Sequence, residues 1–262
     1  MRKITAIILL LVLLVSAISC GGAPGETKSV DNGNTKMIAH RGLSGLEVEN
    51  TDPAFTLAGE RSYYGIEADL RRTSDGKFVI CHDADLKRIA GEKIMVEETA
   101  LDDLLAVDLY DKNGKKGNGY SLTTLESYIS ICKNYEKQAI LELKSDFTPQ
   151  EIGEIIAIIE NFGYIDGTTF ISFDYDNLLY VREYLPDSSV MYLFSKLDDA
   201  NASRLVADKI DVAIKAKALT KAALEEFHAA GLKVNCWTVD SKREANKLIS
   251  WGVDFITSNI LE

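Results

Sequence analysis

Along the chain, short apolar runs of strand length alternate with longer stretches in which apolar residues recur every three or four positions. The runs predict strands over 37–40, 65–72, 77–82, 138–143, 168–173, 189–194, 211–215, 233–239 and 254–258. The periodic stretches predict helices near 51–62, 122–135, 149–162, 175–184, 198–208, 220–230 and 241–250. Pro53 and Pro149 suit first-turn positions, Thr148 is placed to cap the helix behind it, and Gly163 and Gly231 stand where helices should stop. Repeated strand-then-helix units imply a parallel sheet. About eight of them in 262 residues imply an α/β chain closed into a single-domain TIM (β/α)8-type barrel.

One connection breaks that rhythm. The runs 65–72 and 77–82 are too close for a parallel crossover, and Asp75-Gly76 is a two-residue hairpin signal. With those two residues as the turn, Asp69 is expected to face His82, and Glu67 shares the Asp69 face. Residues 84–121, after the strand ending at His82, form the longest insertion. Loops in that position carry specificity in a barrel, so the insertion is expected to form a substrate wall.

The first residues read differently. Arg2 and Lys3 precede an apolar run from Ile4 to Ile18, too short for a typical spanning helix and suited to a secretory signal. The following A-I-S-C-G-G resembles the lipobox of bacterial lipoprotein precursors, with Ala17 where Leu is more usual, so ordinary signal cleavage is the alternative. The expected organisation is a leader over 1–19, lipidation at Cys20, a flexible tether over 20–35 and the barrel domain over 36–262. That predicts an exported protein of the bacterial cell envelope, held to the membrane by its lipid. Cys81, Cys132 and Cys236 show no metal-ligand spacing and read as small buried hydrophobes.

With 46% hydrophobic and 26% charged residues the composition is that of an ordinary globular protein. A formal net charge of −11 argues against nucleic acid or an anionic membrane surface as the main partner. An anionic substrate must therefore be held by local cations.

Five chemistry-bearing groups crowd the span from His40 to Asp83. Two of the chain's three histidines, His40 and His82, end apolar runs, with Glu67 and Asp69 at strand spacing between them. Glu142 lies in the apolar strand A-I-L-E-L-K, where a charge needs compensation. Glu67, Asp69 and Glu142 are candidate ligands of one cation. Their hard oxygens suit Mg²⁺ or Ca²⁺ rather than Zn²⁺. Singly, Glu67 and Asp69 also read as a solvated strand face, and Glu142 as an ion-pair partner of Lys144. His40 and His82 are candidate acid and base, since imidazole titrates near neutrality. His228, on a helix with no chemical company, reads as a surface or packing residue.

Arg41 and Lys144 are candidate phosphate ligands, one a planar fork and the other a point charge. Glu49 is the expected partner of Arg41, and Asn50 or Thr51 caps the helix at Asp52-Pro53. Phe173 and Trp237, at strand ends, are candidate apolar contacts for the organic part of a substrate.

These residues fall in an ordered set of motifs. They are His40-Arg41-Gly42, Glu49-Asn50-Thr51, Ala54-Phe55, Ile66-Glu67-Ala68-Asp69, Thr73-Ser74-Asp75-Gly76, Ile80-Cys81-His82-Asp83, Glu142-Leu143-Lys144 and Trp237-Thr238-Val239. The set resembles the glycerophosphodiester phosphodiesterase family over residues 36–262. Val48 replaces the proline usual before E-N-T, and Cys81 stands where an apolar residue is more common. The resemblance implies a phosphodiesterase barrel with a divalent metal on Glu67, Asp69 and Glu142. It also implies essential histidines at His40 and His82, a phosphate-binding Arg41, and substrate selection by 84–121. The expected reaction is hydrolysis of a glycerophosphodiester to an alcohol and glycerol 3-phosphate. Lysophospholipids and envelope glycerophosphate polymers are alternative substrates, and a non-catalytic phosphoester-binding lipoprotein is the alternative of another class.

Overall fold

The predicted strands close on one another. The computed structural model describes residues 25–197 and 199–262, so the expected leader and Cys20 lie outside the described residues. The strands are β1 (Lys36–Ala39), β2 (Gly65–Arg72), β3 (Phe78–Ile80), β4 (Thr123–Thr124) and β5 (Gln138–Leu143), followed by β6 (Thr168–Ser172), β7 (Ser189–Phe194), β8 (Asp211–Lys215), β9 (Val234–Trp237) and β10 (Phe255–Ser258). Parallel pairing runs β1, β10, β9, β8, β7, β6, β5, β2, and β2 pairs back to β1 through Ile38–Gly65 and Ala39–Ile66. This is a closed eight-stranded TIM-type barrel. Strands β3 and β4 extend it antiparallel from β2.

The helices are α1 (Asp52–Gly59), α2 (Lys87–Ala90), α3 (Leu101–Leu105), α4 (Leu125–Asn134), α5 (Pro149–Asn161), α6 (Tyr175–Tyr184), α7 (Asp199–Asp208), α8 (Lys221–Ala229) and α9 (Lys242–Trp251). Local chemistry sets their starts. Thr51 caps α1 by accepting from Ala54 N, and Thr148 and Glu151 form a reciprocal capping box at α5. α4 begins at Leu125, later than expected, because Thr123 and Thr124 pair with Ile80 and Val79 and Thr124 then caps the helix. α5 and α8 end just before Gly163 and Gly231, as expected. Among the described residues, no helix is long and apolar enough to cross a membrane.

Two apolar layers hold the barrel. Ile38, Ile140, Ile171, Met191, Leu193, Ala213 and Phe255 fill its interior. A larger layer packs the strands' outer faces on the helices, with Phe55 edge-on to Tyr128 at 5.0 Å between centroids. Cys81, Cys132 and Cys236 are all free and buried, as expected. His228 is a surface residue, 2.9 Å from Asp254 Oδ2.

The hairpin differs from expectation by one residue. Thr73 N donates to Lys77 O at 2.9 Å and Gly76 N to Thr73 O at 3.1 Å, giving a three-residue loop with Gly76 at φ +70°. That is a turn followed by a left-handed bulge residue, fixed by Thr73 Oγ1 on Asp75 Oδ1 at 2.6 Å. Leu70 therefore faces Ile80, and Cys81 N donates to Asp69 O. Asp69 sits opposite Cys81, not His82.

The insertion folds around its own apolar cluster, with Leu86, Ala90, Val96, Leu104, Leu109 and Leu122 buried against Val79 and Cys81. The far end of the expected tether is also docked. Lys28 N donates to Ile260 O at 2.9 Å and Val30 N to Glu262 O at 2.7 Å.

Candidate active site

Strand alternation places the site. Two residues beyond the interior positions Ile38, Ile140, Ile171 and Phe255 stand His40, Glu142, Phe173 and Thr257. Apart from Phe173, this next interior layer at the carboxyl ends of the strands is thus charged or polar, which is where a barrel carries its chemistry. Parallel register sets Asp69 beside Glu142, and Glu67 beside Ile140. His82 arrives from β3 rather than from a barrel strand. Being one residue beyond Cys81, it turns into the mouth and joins His40, Arg41, Glu67, Glu142 and Lys144 around a cavity of 150 Å³. The opposite wall is apolar, built from Ile171, Leu193, Phe173 and Trp237.

Glu67, Asp69 and Glu142 are buried and each offers an oxygen within 4.8 Å of the others. Burial, followed by the charges of Asp69 and Glu142, pushes Glu67 well above the usual carboxylate range. Burial and Asp69 push Glu142 up to about 7. Burial opposes ionisation of Asp69 too, but Arg41, Lys144 and His82 outweigh it and hold its carboxyl down at about 2. Asp69 Oδ1 has no hydrogen bond among the described residues, with Lys144 Nζ at 3.6 Å. Three crowded carboxylates with an orphaned buried oxygen are an all-oxygen donor set short of positive charge, which fits a hard divalent cation.

Arg41 is held on both sides. Its backbone, at φ +54°, aims N–H at Glu67 Oε2 (2.7 Å), while Nη1 donates to Glu49 Oε1 (2.9 Å) and Nε lies 3.4 Å from Asp69 Oδ2. Asn50 does not cap α1. Its Nδ2 donates to Asp69 Oδ2 at 2.8 Å, and Thr51 takes the capping role. Lys144 Nζ donates to Glu142 Oε1 at 2.8 Å, so the ion pair and the cluster coexist.

Each histidine has an orienting partner. His40 Nδ1 lies 2.7 Å from Asn259 Oδ1, and Asn259 Nδ2 donates to Asp240 Oδ2 at 2.6 Å. The second contact fixes the amide, so His40 carries its proton on Nδ1 and turns bare Nε2 toward Glu67, 3.9 Å away. Burial and the Arg41 charge lower its pKa and favour the neutral ring. His82 Nδ1 lies 2.7 Å from Asp83 Oδ1. Burial, with the Arg41 and Lys144 charges, lowers its pKa as well, against the opposing pull of Asp69 and Asp83. Trp237 Nε1 donates to Ala213 O at 3.0 Å, and its ring meets Phe173 edge-on at 5.6 Å.

The structure thus brings together His40, Arg41, Glu49, Asn50, Glu67, Asp69, His82, Glu142, Lys144, Phe173 and Trp237. Sequence reasoning passed over Asn259 and Asp240, and over Asn235 and Thr257, which also line the cavity. Asn259 was visible in principle, as a polar residue closing the last apolar strand F-I-T-S-N, where barrel chemistry collects.

The model of the glycerophosphoryl diester phosphodiesterase family matches residues 40–261. The chain is similar to a glycerophosphodiester phosphodiesterase of Caldanaerobacter subterraneus, 27% identical over 86% of this chain and 94% of that one. Among solved structures it resembles an Oleispira antarctica phosphodiesterase in complex with the product sn-glycerol-3-phosphate, with TM-score 0.79, 26% identity, and coverage of 88% of this chain and 96% of that one. A glycerophosphodiester phosphodiesterase of Parabacteroides distasonis matches with TM-score 0.72 and 29% identity, over 90% of this chain and 94% of that one. Fold, site placement and these matches agree: the chain belongs to the glycerophosphoryl diester phosphodiesterase family.

Proposed function

We propose that this enzyme hydrolyses glycerophosphodiesters to an alcohol and glycerol 3-phosphate with the help of one divalent cation, Mg²⁺ or Ca²⁺. The observation that carries the reading is the buried carboxylate trio beside two separately oriented histidines. Glu67, Asp69 and Glu142 would hold the cation, which when bound supplies Lewis-acid polarisation of a phosphoryl oxygen. Arg41 and Lys144 face the phosphate and offset the charge that builds on its oxygens in the transition state. His40, neutral with a bare Nε2, takes the proton of the attacking hydroxyl, whether of water or of the substrate. His82, whose imidazolium form Asp83 supports, gives its proton to the alcohol oxygen as the P–O bond to it breaks. Phe173, Trp237 and Leu193 receive the glycerol carbons.

Purified protein should release glycerol 3-phosphate from glycerophosphoethanolamine, and a chelator should stop it. His40→Ala and His82→Ala should each lower kcat by about 10²–10⁴-fold. Turnover that survives both chelator and His40→Ala would sink the mechanism. From the leader and the lipobox-like A-I-S-C we further propose export and lipid anchoring at Cys20 in the bacterial envelope. Cys20→Ser should then move the protein from the membrane fraction to the soluble one, and unchanged membrane association would rule the anchor out.

A further inference from the structure

Arg88 lies on α2 of the insertion and makes three hydrogen bonds to two carboxylates, each of which holds a group of the site. Its Nε donates to Asp83 Oδ2 at 2.6 Å, and its Nη1 and Nη2 donate to Glu49 Oε2 at 2.8 Å and Glu49 Oε1 at 2.7 Å. Asp83 is the partner of His82 Nδ1, and Glu49 Oε1 also accepts from Arg41 Nη1. One guanidinium therefore joins the orienting partner of His82 to that of Arg41.

Those two groups come from different segments. Arg41 sits on the loop after β1, and His82 follows β3. Main-chain bonds hold their neighbours Gly42 and Cys81 to Glu67 and Asp69 of β2, which leaves the two side chains to be aimed by Glu49 and Asp83. The planar fork grips Glu49 bidentately and still reaches Asp83 through Nε, a geometry that a lysine ammonium does not reproduce. α2 itself is anchored by Leu86 and Ala90 in the insertion's apolar cluster. The Arg88 side chain is 49% exposed, so these ion pairs contribute little to folding, and their consequence lies in placement.

We propose that Arg88 is a positioning residue for the reaction, locking the Asp83–His82 and Glu49–Arg41 pairs into one arrangement and tying that arrangement to the insertion. The proposal rests on the roles given above to His82 and Arg41. The insertion, none of whose residues lines the 150 Å³ cavity, thereby registers the acid against the phosphate ligand. Displacements of about 1 Å in such registers cost on the order of 10²-fold in rate.

The test compares Arg88→Ala, Arg88→Lys and His82→Ala on two substrates in saturating divalent cation. One is glycerophosphoethanolamine, whose alkoxide needs a proton to leave. The other is the p-nitrophenyl ester of glycerol 3-phosphate, whose phenolate does not. Arg88→Ala should lower kcat on the first by about 10–100-fold, with KM changing less than kcat, and lower it less on the second. Added guanidinium ion should restore part of the Arg88→Ala loss and none of the His82→Ala loss. Arg88→Lys should melt near wild type yet remain slow, which separates placement from folding. Wild-type kcat in Arg88→Ala or Arg88→Lys, with His82→Ala impaired, would overturn the proposal. A His82→Ala enzyme as fast as wild type would instead overturn the role of His82 on which the proposal rests.

Discussion

Replacing Glu142 by Gln should stabilise the chelated protein. In the structure Glu142 shares a 4.8 Å cluster with Glu67 and Asp69, and burial and the Asp69 charge carry its carboxyl from 4.5 to about 7. A carboxyl whose folded pKa exceeds its unfolded value binds more protons folded than unfolded. Stability therefore falls as pH rises from 4.5 through about 7 and stays low above that window. A shift of about 2.5 units corresponds to about 3 kcal/mol, an upper bound because three carboxylates share the strain. The amide keeps the shape, loses the charge and leaves Lys144 with Asp69. In chelator, Glu142→Gln should thus exceed wild type by about 1–3 kcal/mol at pH 8 and by little at pH 5. Mg²⁺ or Ca²⁺ in large excess should reverse the order, since a ligand at about 1,000 times its Kd adds about 4.1 kcal/mol to the wild type. Urea unfolding followed by fluorescence of Trp237 and Trp251 reads each of these conditions. A chelated Glu142→Gln less stable than wild type at pH 8 would refute the reasoning.

Asn259→Ala removes the partner of His40 Nδ1 and should lower kcat by about 10–100-fold, with a thermal midpoint near wild type, read by phosphate-ester turnover and melting. Gly42→Ala places a Cβ 2.7 Å from the Ala54 carbonyl carbon at φ +73°, in the loop that carries Arg41 and Glu49. It should cost about 1–3 kcal/mol in urea unfolding and lower activity as well. Phe55→Ala leaves a cavity beside Tyr128 and should cost about 3–5 kcal/mol, while turnover well below its melting point stays near wild type.

The barrel was legible because its signal is repetitive. Runs such as A-I-L-E-L and T-F-I-S are each followed by a periodic helix, and each unit supports the same topology. The site was legible where it is local, as at Glu67 and Asp69, two residues apart on one strand face. The hairpin register was not, because Asp75-Gly76 serves a two-residue loop and a three-residue bulged loop equally well. The Thr73 hydroxyl, bonded to Asp75, marks the second. Asn259 escaped notice because it meets His40 from 219 positions away in sequence, and Asp240 because it acts only through Asn259. Nothing local in the sequence marks Arg88; only the fold sets Glu49 and Asp83 on either side of it.

Under the proposed mechanism one cation on Glu67, Asp69 and Glu142 is required for diester cleavage. The most direct measurement titrates Mg²⁺ or Ca²⁺ into chelator-stripped protein while following bound metal and glycerol 3-phosphate release together. Activity should rise in proportion to occupancy and level at one cation per chain, with Asp69→Asn neither binding nor turning over. Full turnover by stripped protein with no metal bound would contradict the account.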